Sequence, residues 1–155
     1  MKSFEIVNIK NFTFQLFKGT IFDSFELRSA EINTFVSFHI DGRLQKDYFS
    51  LTEQELLNHE YSTWLQMKPF VFQTIKGTRL PKNFKLVFSA DKNMLEQISP
   101  QAAALFLNVH YNGKIITCTT GGSQKSFSLD SSYVFPWDDF ITSFFQHHQI
   151  IVSTP

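Results

Sequence analysis

The chain has 155 residues and 18.0 kDa, with 43% apolar residues, 18% charged residues and 14 basic against 14 acidic side chains. That length suits a single domain (1–155) with a real core, the composition excludes disordered, collagen-like and coiled-coil classes, and zero net charge excludes the overall basic character of an obvious nucleic-acid or membrane-surface binder. One cysteine, Cys118, excludes an internal disulfide and a cysteine-based zinc site. Residues 1–13 lack an apolar signal core, and no run approaches the roughly 20 apolar residues needed to span a bilayer, so a cytoplasmic location without a membrane partner is expected. Phe occurs 19 times. Each Phe buries on the order of 150–250 Å², so most rings belong in the core, a protein-binding surface built on a few exposed rings being the alternative.

Lys2 to Asn8 alternates as a strand and leads into Ile9, Phe12, Leu16 and Phe17, spaced along one helical stripe. With Asn8 as N-cap and Gly19 as the stop, this predicts a helix over about 9–18. Phe25 to Ile32 reads as a strand, followed by Val36, Phe38 and Ile40 in alternation. Asp41-Gly42 signals a type I′ hairpin, because both central positions need positive φ, with Arg43 to Ser50 as the return strand. Thr52 and Glu55 suggest a capping box opening a helical region over 52–77, restarted at Pro69 and ended by Gly77. Thr78 to Asn83 is a basic loop, and Phe84, Leu86 and Phe88 alternate in a strand.

Asp91 to Ala103 suggests a short helix through Met94, Leu95 and Ile98. Leu105 to Tyr111 is a strand, Asn112-Gly113 a second hairpin signal, and Lys114 to Thr119 the return. Gly121-Gly122 then reads as a turn before a strand at Lys125 to Leu129. A C-terminal helix (133–149) follows: Pro136 suits its first turn, Asp138 and Asp139 favour its positive end, and Trp137, Phe140, Ile141, Phe144 and Phe145 form one apolar stripe. The fold class is α+β with mostly antiparallel strands.

Val109 to Lys114 echoes Phe38 to Arg43 in the pattern apolar, His, apolar, Asx, Gly, base, and the order helix, strand, hairpin occurs twice. In this order and spacing, residues 4–130 resemble one domain of a DNA sliding clamp. The resemblance implies two helix-plus-antiparallel-sheet halves (4–50 and 61–130), clamp-like, with helices toward DNA and an added C-terminal helix. A ring of that kind would need several copies. Through Phe38 to Arg43, Ile75-Lys76-Gly77 and Thr117 to Gly121, the whole chain also resembles a small family of uncharacterised bacterial single-domain proteins, which implies no particular activity.

Charge placement supports a binding face. Residues 9–18 and 61–90 carry seven bases and no acid. If their helices share a side, Lys10, Lys18, Lys68, Lys76, Arg79 and Lys82 would form one positive surface for a polyanion, DNA or a protein partner, since sequence-independent phosphate binding needs only Lys/Arg contacts. A solvated basic surface without a ligand is the plain alternative.

The enzyme alternative centres on His110, Cys118, Gly121, Gly122 and Ser123. A thiol needs a base to lower its pKa, His110 is in the neighbouring strand, and backbone N–H groups of the glycine segment could cradle the phosphate of a small ligand. No metal site is expected: His147 and His148 are adjacent and lack the i,i+4 spacing that lets two imidazoles share an ion, and His39 and His110 fall on the sheet face away from the large apolar residues. No cofactor is implied. The expected function is a non-enzymatic binding module with a basic helical face.

Overall fold

A computed structural model describes residues 1–77 and 79–154; Thr78, in the expected basic loop, lies outside them. The fold is α+β. Among the described residues, seven strands form: β1 (Ser3–Ile6), β2 (Glu26–Asn33), β3 (Ser37–Asp41), β4 (Asn83–Ser89), β5 (Ala102–Tyr111), β6 (Ile116–Gln124) and β7 (Val152–Ser153). They form one antiparallel sheet in the order β3-β2-β4-β5-β6-β1-β7. Strands from residues 4–50 therefore flank those from 61–130 within a single continuous sheet. The helices are α1 (Ile9–Phe17), α2 (Leu51–Leu56), α3 (Trp64–Ile75), α4 (Lys92–Ile98) and α5 (Phe135–His147).

The core lies between one face of the sheet and α1, α3 and α5. Alternation along the strands supplies Phe4, Ile6, Leu86, Phe88, Leu107 and Val109 from the sheet side. Facing them are Phe12 and Leu16 of α1, Trp64 and Val71 of α3, and Trp137, Ile141 and Phe145 of α5, as the apolar stripes of α1 and α5 require. Phe22 sits at the centre, its ring 5.4–6.1 Å from those of Phe12, Phe25, Phe88 and Phe144. Aromatic pairs at that spacing each add on the order of 0.5–1.5 kcal/mol beyond simple burial, which accounts for much of the phenylalanine enrichment. The other sheet face is polar and open, with Ser29, Glu31, Lys85 and His110 exposed on it.

Several elements depart from the sequence expectations. β2 and β3 are joined through Thr34–Val36, and Arg43 to Ser50 is not a return strand. It holds an isolated bridge from Arg43 to Tyr61 and a 3-10 turn at Lys46–Tyr48. Gly42 is needed there for close approach: a Cβ would lie 1.8 Å from the Leu27 carbonyl oxygen. The capping box of α2 is Ser50 with Glu53, and α3 has its own in Thr63 with Gln66. Pro69 lies inside α3 rather than restarting it.

Beyond Asn112-Gly113 the hairpin forms with positive φ at Gly113 alone (+98°) and Asn112 accepting from the N–H groups of Lys114 and Ile115. Gly121 and Gly122 are interior to β6, paired with Phe106 and Leu105, so they make no turn, and Lys125 to Leu129 is not a strand. Among the described residues, no helix is long and apolar enough to cross a membrane.

Candidate functional site

Asn8 caps α1 by accepting from the Asn11 N–H at 3.0 Å, which fixes the helix phase. Two rows at i,i+4 spacing then line the groove side of this segment, Ile9-Thr13-Phe17, which ends in the buried Phe17, and Lys10-Phe14-Lys18. α3 lies alongside, held by the Trp64 indole N–H, which donates 2.8 Å to the Leu16 carbonyl near the end of α1. That carbonyl is one of the last four of α1, which have no partner within the helix. Beyond α3 the chain is pinned again where the Lys82 N–H donates to the Asn33 carbonyl at 2.8 Å.

Between these elements runs an open groove of about 450 Å³, with a floor of Phe17, Phe84 and Tyr111 and walls that include Phe14, Ile75 and Leu80. A second groove of about 430 Å³ continues from it, sharing Ile75 and Leu80 and adding Phe35. Phe14 is 59% exposed, Leu80 82% and Phe35 93%, a large apolar exposure for one small region.

Five of the six sequence-predicted cations rim these grooves, Lys10 and Lys18 on the first and Lys76, Arg79 and Lys82 on the second. No described lining residue is acidic. Lys18 sets its ammonium 4.1 Å from the centre of the Phe72 ring. The sixth, Lys68, is committed elsewhere: its ammonium lies 2.7 Å from the Asp23 carboxylate and 2.9 Å from the Gly19 carbonyl, with the side chain only 14% exposed. Five of the six thus line two adjoining grooves, with Lys68 as an internal tie.

The residues of the enzyme alternative are not brought together. In the β5–β6 register Val109 faces Cys118 and His110 faces Thr117, so Cys118 points into the core and His110 onto the open face. Complete burial pushes the Cys118 thiol far up, away from the thiolate a nucleophile requires. Gly122 packs under Tyr133 and beside the Ala104 carbonyl, where a Cβ would lie 3.0 Å from each. Gly121 has open space, and its backbone belongs to the sheet ladder.

A second polar cluster carries no signal in the sequence. His59 Nδ1 lies 3.5 Å from the Glu26 carboxylate, whose side chain is 9% exposed. Burial pushes the Glu26 carboxyl above the usual carboxylate range, while His59 and Arg28 oppose the shift. A register irregularity between Leu27 and Ser29 allows Glu26 and Leu27 both to be buried, which breaks the alternation that would have exposed the acid. Asp91, Lys92, Asn93 and Glu96 line a shallow cavity beside His59. Among the described residues, no group of three or more His, Cys, Asp or Glu is placed to hold a metal.

Residues 15–153 match a family of unknown function, DUF5721, and with most of its length covered the chain belongs to that family. No curated protein and no solved structure matches it.

Proposed function

We propose that this DUF5721 protein is a non-enzymatic binding module that holds a partner segment both apolar and anionic in the groove between α1 and α3. The observation that carries this reading is the pairing of an exposed apolar trough with five rim cations and no acid among its described lining. Apolar surface of this kind gains about 25 cal/mol for each Å² removed from water. The rim cations add orientation and a salt-sensitive encounter rate more than raw affinity. A ligand with phosphates alone would leave the trough wet, whereas a segment with apolar anchors flanked by carboxylates satisfies both features, as in helix-in-groove recognition.

A clamp-like duplex-binding role is the second reading, and its support is that Lys10 and Lys18 at α1 and Lys76, Arg79 and Lys82 in the segment after α3 line two adjoining grooves. With Lys68 engaged by Asp23, five cations remain, which limits the log–log salt slope to about −4 to −5 at roughly −0.9 per neutralised phosphate.

The anionic apolar dye anilinonaphthalene sulfonate separates the two readings. Wild type should enhance its fluorescence saturably, Phe14→Ser should weaken the uptake at least fivefold, and the triple variant Lys76→Glu, Arg79→Glu, Lys82→Glu should lose its salt-sensitive part. Unchanged uptake in Phe14→Ser would refute the groove. Titration with random-sequence duplex DNA at two salt concentrations tests the second reading, which requires binding with the slope given above.

A further inference from the structure

Between Gly42 and Ser62 the chain leaves the sheet in an excursion tied at its base. The Ser62 N–H donates to the Gly42 carbonyl at 2.8 Å, and the Leu44 N–H to the Glu60 carbonyl at 2.9 Å. Beyond these ties neither the 3-10 turn nor α2 contains a buried residue. Tyr48 is 86% exposed, Leu51 80% and Leu56 79%. The Ser50–Glu53 capping box nonetheless satisfies the Ser50 and Glu53 N–H groups at the start of α2, so the first turn of this exposed helix is held without help from the core. Residues 44–60 contain four acids, Asp47, Glu53, Glu55 and Glu60, and one base, Lys46.

An exposed apolar segment bearing net negative charge is the chemistry the groove accepts. The two features also lie at opposite ends of the same strand. Thr34 and Phe35, which wall the groove, adjoin the start of β3 at Ser37, whereas the excursion departs from its end after Asp41. Five residues at about 3.3 Å each place roughly 15 Å of strand between them, and β2 runs between the same two ends with eight residues.

We propose that the occupant of the groove is a second copy of this chain, which inserts Tyr48, Leu51 and Leu56 while its Asp47 and Glu55 meet the rim cations. The proposal rests on the groove reading above and adds the identity of the occupant. Because donor and acceptor surfaces differ, the contact is head-to-tail. Each docked copy leaves one free groove and one free excursion, so assembly continues past a dimer into a closed ring or an open filament, according to the rotation between neighbours.

Sedimentation velocity on the full chain, from micromolar to several hundred micromolar at low and at physiological salt, tests this. Wild type should associate with rising concentration, and less strongly in salt. A groove variant (Lys76→Glu with Arg79→Glu) and an excursion variant (Leu51→Ser with Leu56→Ser) alter exposed side chains without creating a new pair of opposite charges. Each alone should associate at least tenfold more weakly. An equimolar mixture of the two should give a one-to-one dimer that grows no further, because it combines one intact groove with one intact excursion and leaves only impaired surfaces outside. A mixture that stays monomeric while wild type associates would overturn the proposal, as would association unaffected by either variant. A wild type that is monomeric throughout yet takes up the dye in a Phe14-dependent manner overturns the second-copy occupant alone and leaves a foreign acidic segment as the ligand. Absence of both overturns the groove reading as well.

Discussion

Trp64→Phe should separate the two walls of the groove without altering any charge. Trp64 is fully buried, its indole N–H donates to the Leu16 carbonyl at 2.8 Å, and its ring lies 5.1 Å from Phe88 and 5.7 Å from Phe17. Phenylalanine keeps most of the aromatic contact and removes the donor. Leaving a buried carbonyl unpaired costs about 1–3 kcal/mol, and the smaller ring leaves a void worth on the order of 1 kcal/mol. The expected loss is therefore about 2–4 kcal/mol. Urea unfolding followed by circular dichroism should show this as a midpoint lowered by about 1–2 M at an unchanged slope, taking a slope of roughly 2 kcal/mol per molar. Dye uptake by the folded variant should also weaken, since α1 is no longer tied to α3 at that point. A loss below about 0.5 kcal/mol would refute the reasoning, because a buried carbonyl cannot lose its partner at so small a cost.

Other expectations follow from single side chains. Gly42→Ala should be severely destabilising, because its Cβ would meet the Leu27 carbonyl at 1.8 Å, while Gly121→Ala, with open space at that position, should change thermal stability little. Lys68→Met should cost about 2–3 kcal/mol in chemical denaturation by leaving the largely buried Asp23 carboxylate unpaired, and the double variant Lys68→Met with Asp23→Leu should recover part of that loss. Glu26 has a folded-state pKa raised above its unfolded value, so its ionisation opposes folding as pH rises, and the cost is absent below the unfolded pKa of about 4.3. Glu26→Gln should accordingly gain stability over wild type as pH rises above the unfolded pKa of about 4.3, and a gain that shrinks as pH rises from there in thermal melts would contradict the assigned burial effect.

Features with a local cause could be read from the sequence. α1 and α5 were legible because their apolar stripes, the Asn8 cap and Pro136 are set by neighbours within a turn or two. The charge segregation was legible too: of the six cations it singles out, five line the two grooves, whereas the pairing of Lys68 with Asp23 depends on a tertiary contact that charge counting does not show. The groove beneath them was not, because its floor takes Phe17, Phe84 and Tyr111 from three separate elements, and the same alternation that buries a strand residue says nothing about a gap beside it. Asp41-Gly42 misled for a related reason. The glycine answers a steric demand from Leu27, fifteen positions away, whereas the hairpin signal presumes a demand within the turn itself. Gly121-Gly122 looked like a turn on composition, but the long ladder between β5 and β6 outweighs the weak strand preference of two glycines. Cys118 and His110 are near in sequence and adjacent in register, and strand alternation alone sends them to opposite faces.

The placement of β1 between β6 and β7 has a consequence for how the chain comes to be folded during its synthesis. Its backbone partners in β6 are residues 117–119 and in β7 residues 152 and 153, and the Lys2 N–H is bonded to Thr120, 118 positions later. At about 5–20 residues per second, a nascent chain carries β1 unpaired for on the order of ten seconds, with Phe4 and Ile6 uncovered, before those partners emerge. β2 and β4 can pair long before then, so the sheet is built from its other side, and the strand that was made first joins it only once β6 is available, with β7 added after it. That delay leaves a short apolar edge-former exposed to other nascent chains, and it makes this strand the natural target for chaperone protection while the molecule is being made.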